Sequence, residues 1–141
     1  MDQPVAIILF FAAILIFGGI LFIIVSFSKN SPHPLDVEKY RSRWMSIETR
    51  LKRAEESSHT LCIYDADKLL DQALRERGFS GKTMGERMKQ CQGKWTNGNG
   101  VWAAHKLRNR LAHEENASVD YERARQALVA YKQALKDLGA I

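Results

Sequence analysis

The sequence predicts an all-α protein in which a single N-terminal transmembrane helix precedes a small helical bundle of four main helices and one short helix. Three features support this fold class. Residues 5–27 form an uninterrupted apolar run. From residue 35 onward, apolar residues recur every three or four positions, which is the period of one helical face. No segment alternates apolar and polar residues with the period of two that is typical of a half-buried strand.

The apolar run predicts a membrane anchor over residues 1–28. It contains no charged side chain, and its 23 residues at about 1.5 Å each cover about 34 Å, enough to cross a hydrocarbon core of about 30 Å. A cleaved signal peptide is the alternative, since Ser26 and Ser28 resemble a cleavage site. Such a peptide has a positively charged first region and a shorter apolar core, whereas here only Asp2 is charged before the run.

The charges beside the anchor predict its orientation, because Lys and Arg resist translocation and stay on the cytoplasmic side. Neither residue type precedes the anchor. Four basic residues follow it closely: Lys29, Lys39, Arg41 and Arg43. We therefore expect a single-pass protein of the inner (plasma) membrane whose C-terminal domain is cytoplasmic.

Residues 29–34 are predicted to be a short stalk, because they are polar and contain two prolines. Residues 35–141 are expected to form the bundle domain. A stalk of this length would keep the domain close to the bilayer surface.

Local signals mark the expected helix boundaries in the bundle. Ser57 and Ser58 are predicted to cap the second helix. Thr83 and Glu86 form a capping box that starts the short helix. Residues 96–100, TNGNG, predict a turn. The predicted helices are residues 35–54, 60–77, a short helix up to about 90, residues 101–112, and a last helix from about 118 that ends at Gly139.

The charge balance behind the anchor favours an anionic partner. All 21 basic residues follow the anchor, whereas Asp2, one of the 16 acidic residues, precedes it. The formal net charge of +5 for the whole chain therefore becomes +6 when Asp2 is left out. RNA and the anionic inner leaflet both fit this charge. An ordinary basic cytoplasmic domain has the same composition and stays an open alternative.

The sequence indicates no metal and no cofactor. Cys62 and Cys91 form no metal-ligand spacing, and we expect both to be free thiols, because the cytoplasm keeps thiols reduced. Asp67 and Asp71 lie four positions apart in a predicted helix, where like charges repel. We expect them to face solvent or basic residues of a neighbouring helix and not a magnesium ion.

The most distinctive segment is residues 102–114, WAAHKLRNRLAHE. Arg108 and Asn109 are followed after three residues by His113. This R-N-x3-H pattern resembles the R-x(4-6)-H motif of HEPN domains. The resemblance implies a small helical bundle that is often dimeric, and many members are metal-independent ribonucleases in which this Arg and His act on an RNA phosphodiester. The resemblance extends over residues 35–140 as a pattern of helix lengths, but only residues 108–114 match at the level of the motif. The chain differs from the better-known toxins of the family because it has a membrane anchor.

The residue types suit phosphodiester transesterification. A neutral imidazole, here His113, can remove the proton of an RNA 2′-hydroxyl while the Arg108 guanidinium holds the phosphate and its developing charge. Asn109 is expected to orient the phosphate or the imidazole. On a continuous helix, residues five positions apart differ by about 140° in direction, so we expect the helix to end near Ala112. Three further residues are expected to be auxiliary RNA contacts: His105, Lys106 and Arg110.

The sequence thus predicts a membrane-anchored, HEPN-like RNA-binding domain that is a candidate metal-independent endoribonuclease and a homodimer. Two alternatives stay open. The motif residues can tie a helix corner to its neighbour in a non-catalytic dimerisation or interaction module, which docks a protein partner at the membrane. A basic face can also lie on anionic lipid headgroups. Trp102 shares a face with His105 and is assigned to the core, as is Trp44.

Overall fold

The computed structural model describes residues 3–28 and 34–141. This part of the chain is all-helical, as predicted, with one long apolar helix followed by a bundle. It divides into two compact units with the boundary after Pro32, and most of the predicted stalk lies outside the described residues. The helices are α1 Gln3–Ser28, α2 Val37–Arg50, α3 Glu56–Glu76, α4 Met84–Gln90, α5 Gly98–His113 and α6 Tyr121–Asp137.

The described part of the first unit is α1. This helix has 26 residues and no charged residue, and its side chains from Gln3 to Val25 are all exposed. A helix that is apolar on every side needs an apolar surrounding. Residues Gln3–Val25 are the one candidate membrane span in the described part of the chain, by length and composition.

In the second unit α3 is the central helix. It packs against α2, α4, α5 and α6, and α5 packs in addition against α6. The apolar residues of α3 recur every three or four positions, and this stripe is fully buried. Its members include Ile63, Ala66, Leu70, Ala73 and Leu74. Asp67, a buried polar residue of this helix, is therefore held in place by the buried apolar residues that precede and follow it in the chain.

The start of α4 confirms the local prediction. The Thr83 side chain accepts a hydrogen bond of 3.2 Å from the backbone N–H of Glu86, so the first turn of the helix is capped. The Glu86 carboxylate reaches back to the backbone N–H of Lys82 at 2.6 Å. The last helix begins at Tyr121, slightly later than expected, because the Asp120 side chain supplies its cap.

The predicted boundary between the first two bundle helices is wrong. The helix α2 ends at Arg50, and α3 already begins at Glu56 with Glu55 as its N-cap residue. Ser58 is buried inside the first turn of α3, where its hydroxyl donates a 2.7 Å hydrogen bond to the carbonyl of Glu55. The serine therefore stabilises the turn from within and does not cap it.

The predicted turn at residues 96–100 is also wrong over most of its length. The helix α5 begins at Gly98 because the Asn97 side chain accepts a 2.9 Å hydrogen bond from the backbone N–H of Gly100. A Cβ atom at Gly100 would overlap the Asn97 carboxamide. Glycine at position 100 thus permits the cap. As a result, residues 98–100, which have a high turn propensity, form the first turn of α5.

One buried histidine joins two connections of the bundle. The His59 ring lies between the carbonyl of Lys52, 2.9 Å from Nε2, and the carbonyl of Val119, 3.1 Å from Nδ1. Lys52 precedes α3 and Val119 precedes α6. The imidazole therefore links the α2–α3 connection to the α5–α6 connection.

We expect His59→Ala to lower the free energy of unfolding by about 1–3 kcal/mol, because it leaves the carbonyl of buried Val119 without its hydrogen-bond partner. Urea unfolding of the full chain in detergent micelles, followed by tryptophan fluorescence, measures this. All three tryptophans lie in the second unit, so the signal reports the bundle alone. The exposed His113 provides the matched control, since His113→Ala should change stability by less than about 0.5 kcal/mol. Equal stabilities of the two variants would contradict the role given to His59.

Both cysteines are free thiols, in agreement with the sequence prediction, and both are buried. Burial raises the pKa of Cys91 to about 11 and also raises the pKa of Cys62. The thiolate is the reactive form of cysteine. The folded bundle therefore protects both cysteines from alkylation, because it buries the sulfur atoms and because the raised pKa keeps them protonated.

We expect iodoacetamide at pH 8 to leave both cysteines unmodified in the folded chain and to modify both in urea. Intact-mass spectrometry counts the added groups. Rapid modification of Cys91 under native conditions would contradict its burial.

Candidate functional site

An open groove with a volume of about 1030 Å³ runs between α3, α4 and α5. Five of the six residues singled out from the sequence line it, and Arg110 does not. The five are His105, Lys106, Arg108, Asn109 and His113. Arg110 is exposed outside this groove, so it is not positioned to contact a ligand bound in the groove.

One face of α5 supplies most of these side chains. Trp102, His105, Asn109 and His113 are spaced by three, four and four residues, so they form a single stripe along the helix. Asp67 and Asp71 face this stripe from α3. The periodicity of α5 therefore places chemically different groups side by side along one wall of the groove.

Four side chains at the base of the groove form a closed ring of polar contacts. The His105 Nδ1 atom lies 2.8 Å from Asp67 Oδ1, and the Arg108 Nε atom lies 3.3 Å from Asp67 Oδ2. The Asn109 carboxamide closes the ring between them. Its Nδ2 atom lies 3.3 Å from His105 Nε2, and its Oδ1 atom accepts a 3.1 Å hydrogen bond from Arg108 Nη1.

The ring determines the hydrogen positions of His105. Arg108 can only donate, so the Asn109 atom that faces it is the carbonyl oxygen. The amide nitrogen of Asn109 therefore faces His105 Nε2 and donates to it. This makes Nε2 an acceptor and places the single ring proton on Nδ1, where it is donated to Asp67. The hydrogen-bond pattern thereby favours the Nδ1–H tautomer of His105.

Tyr131 of α6 anchors the ring from below. Its hydroxyl donates a 2.8 Å hydrogen bond to Asp67 Oδ1. Tyr131 is completely buried, and this burial together with the neighbouring carboxylate raises the pKa of Tyr131 above its usual range. The Asp67 side chain is only 6 % exposed. A buried carboxylate therefore receives contacts from α5 and α6, which satisfy it and fix the distance between these helices and α3.

The Arg108 guanidinium lies at the boundary between this ring and the groove. Its Nε atom is buried and makes no hydrogen bond beyond its ion pair with Asp67. The side chain as a whole is 38 % exposed, and its central carbon lies 5.7 Å from the centre of the Tyr64 ring. One edge of the guanidinium is thus held by the protein while the rest lines open space.

His113 is the last residue of α5, so the expected end of the helix near Ala112 is wrong. The helix is continuous from Arg108 to His113, and the two residues therefore differ by about 140° in direction. Its side chain is exposed, lines the same groove as Arg108 and Asn109, and has no hydrogen bond to the described part of the bundle. The C-cap residue Glu114 is already extended. The imidazole is therefore available to a ligand, in contrast to the internally bonded ring of His105.

The groove carries an excess of positive charge. Its lining includes six cationic side chains and three aspartates. Each aspartate is already paired: Asp65 with Arg50, Asp67 with Arg108, and Asp71 with Arg75 and Arg87. Three lysines have no acidic partner in the described part of the chain: Lys68, Lys82 and Lys106. These charges suit a polyanion.

Sequence reasoning did not assign Asp67 or Tyr131 to the site. The sequence placed Asp67 against solvent or a basic neighbouring helix, and the second alternative is what the structure has. His105 was expected to be an auxiliary RNA contact, and in the structure it is a member of the ring of polar contacts, bonded to Asp67 and Asn109. Among the described residues, no group of three or more His, Cys, Asp or Glu could hold a metal ion.

We expect Asp67→Ala to lower the free energy of unfolding by about 3–5 kcal/mol, because Arg108 and the hydroxyl of Tyr131 then lose their buried partner. The matched control is Asp65→Ala on the same helix. Asp65 pairs with Arg50 at 2.6 Å at the exposed surface, so its removal should cost less than about 1 kcal/mol. Urea unfolding monitored by tryptophan fluorescence tests both variants. Equal losses of stability would contradict the central position of Asp67.

Comparison with known proteins assigns no family to this chain. No protein-family model matches it, and no curated protein and no solved structure matches it. The resemblance to HEPN domains therefore stays a prediction that depends on Arg108, Asn109 and His113.

Proposed function

We propose that this protein binds RNA in the groove and cleaves it as a metal-independent endoribonuclease of HEPN-like type. One observation carries the proposal. The ring of Asp67, His105 and Asn109 holds one edge of Arg108 while the exposed His113 lines the same cationic groove. A fixed guanidinium and a free imidazole that line one groove are the pair of groups that phosphodiester transesterification needs.

In the proposed reaction His113 acts as the general base. Its neutral imidazole takes the proton of a 2′-hydroxyl, and the 2′-oxygen attacks the adjacent phosphorus. The Arg108 guanidinium stabilises the charge that develops on the non-bridging oxygens. The bond from phosphorus to the 5′-oxygen breaks, and the leaving oxygen receives a proton from the imidazolium or from water. The products are a 2′,3′-cyclic phosphate and a 5′-hydroxyl.

The two histidines have different roles in this proposal. Both ring nitrogens of His105 are engaged within the protein, one by Asp67 and the other by Asn109. His105 is therefore a positioning residue for Arg108 and Asn109. His113 has no such contacts in the described bundle and is free to exchange a proton with a substrate.

We further propose that α1 is a membrane anchor and that the bundle lies on the cytoplasmic side of the inner membrane. The apolar composition of α1 and the basic residues that follow it support this placement. A homodimer is part of the proposal through the HEPN resemblance alone. Cleavage would then occur at the membrane surface and not throughout the cytoplasm.

A non-catalytic interaction module is the second candidate. The complete ring favours this candidate. Every member of the ring already has a partner inside the protein, so fixing α5 against α3 is a sufficient role for the cluster. In that case His113 would contribute nothing beyond an exposed surface position. The two candidates differ in whether His113 is needed for any chemical step.

The full chain in detergent micelles is incubated with total RNA in the presence of EDTA, beside the variants His113→Ala and Arg110→Ala. We expect the wild type and Arg110→Ala to leave 2′,3′-cyclic phosphate ends, because Arg110 lies outside the groove. Loss of the general base should slow His113→Ala by about 10²–10⁴-fold. Gel analysis with end-group assays measures both quantities.

The variant Arg108→Ala should reduce RNA binding as well as cleavage, and it has the same charge change as Arg110→Ala. Cleavage that persists unchanged in His113→Ala would refute the mechanism. Absence of cleavage by the folded wild type would favour the interaction module.

A further inference from the structure

Trp102 lies at the opposite end of the α5 stripe from His113. The two residues are eleven positions apart on one helix, which corresponds to about 16 Å. The rise of one nucleotide in a stacked strand is about 3.4 Å, so this distance covers several nucleotides. A strand with a phosphate beside Arg108 would therefore extend along the groove to Trp102.

The surroundings of Trp102 leave part of its indole uncovered. The ring packs against the core and is only partly buried, and it meets the His105 ring edge-on with centroids 6.3 Å apart. Gly85 of α4 is a close neighbour of the indole. A Cβ atom at Gly85 would lie 3.8 Å from the ring atoms Cη2 and Cζ3, so a side chain at this position would be in van der Waals contact with the indole. The glycine keeps the space beside the indole open to the groove.

Two unpaired cations accompany this end of the groove, namely Lys82 and Lys106. The loop that carries Lys82 is held in place, because buried Arg87 donates a 2.5 Å hydrogen bond to the carbonyl of Gly81 and a 2.8 Å hydrogen bond to Asp71. The backbone N–H of Lys82 is bonded to Glu86. The backbone that carries Lys82 is thus fixed, and Lys82 lines the same groove as Trp102.

We propose that Trp102, Gly85 and Lys82 form a nucleobase subsite, in which an unpaired base of the bound RNA stacks on the indole and Lys82 contacts its phosphate. This proposal rests on the proposed function, since it requires RNA in the groove. Stacking on an aromatic side chain is tolerant of base identity, because every base has a π-face. It requires an unstacked base, which a double helix does not offer. The subsite therefore selects single-stranded RNA at a position away from the cleaved bond.

The test measures binding of a fluorescein-labelled 12-nucleotide RNA by fluorescence anisotropy, with the full chain in detergent micelles. Complete 2′-O-methylation of the RNA prevents transesterification. The single strand is compared with the same strand annealed to its complement. Four proteins are used: the wild type, Trp102→Leu, Trp102→Phe and Gly85→Leu.

We expect the wild type to bind the single strand more tightly than the duplex. Trp102→Leu keeps an apolar side chain against the core but removes the π-face, and should weaken binding by about 5- to 150-fold, the measured range for one stacked base. Trp102→Phe retains a ring and should lose less. Gly85→Leu leaves the tryptophan in place but covers it, and should weaken binding of the single strand in the same direction. Because leucine favours helices more than glycine does, this variant retains α4 and keeps the test informative.

Single-strand binding by Trp102→Leu and Gly85→Leu that equals the wild type would overturn the subsite and leave the proposed function intact. Equal wild-type affinity for single strand and duplex would overturn it as well. Absence of RNA binding by the folded wild type would overturn both proposals together.

Discussion

The buried carboxylate of Asp67 is the interaction on which the bundle and its groove both depend. It receives a hydrogen bond from Tyr131 on α6 and one from His105 on α5, and it pairs with Arg108. A carboxylate that is only 6 % exposed is costly unless its oxygens are satisfied. The donors are therefore structural requirements of the fold, and meeting them also fixes the orientation of Arg108.

This arrangement divides the polar residues of the groove into a fixed set and a free set. Asp67, His105 and Asn109 are bonded to one another and cannot reorganise without leaving a buried group unpaired. The outer part of Arg108 and the imidazole of His113 face open space, and the unpaired lysines add positive charge around them. Groups that are oriented before the ligand arrives need little reorganisation when charge develops. A catalytic role and a purely structural role for the ring are consequently built from the same contacts, and they differ only at His113.

Features that depend on neighbouring residues could be predicted from the sequence, whereas long-range contacts could not. The apolar run of α1 and the cap at Thr83 are local, and both are present. Asp67 meets His105 across 38 residues and Tyr131 across 64 residues, so no window of sequence shows them together. The spacing of Asp67 and Asp71 predicted that they face solvent or basic residues of a neighbouring helix, and each carboxylate does have a cationic partner on another helix, but the spacing could not identify these partners. At α5 the turn propensity of the glycines was outweighed by the side-chain cap from Asn97, which moved the helix start to Gly98.

We propose that the groove performs 2′-hydroxyl transesterification, and a chimeric substrate tests this proposal most directly. One RNA oligonucleotide that the full chain cleaves at a single position is compared with the same oligonucleotide carrying a 2′-deoxy sugar at that position only. We expect cleavage of the first oligonucleotide and none of the second in EDTA, because the second lacks the attacking oxygen. Equal cleavage of both substrates would contradict it, since the nucleophile would then be something other than the 2′-hydroxyl.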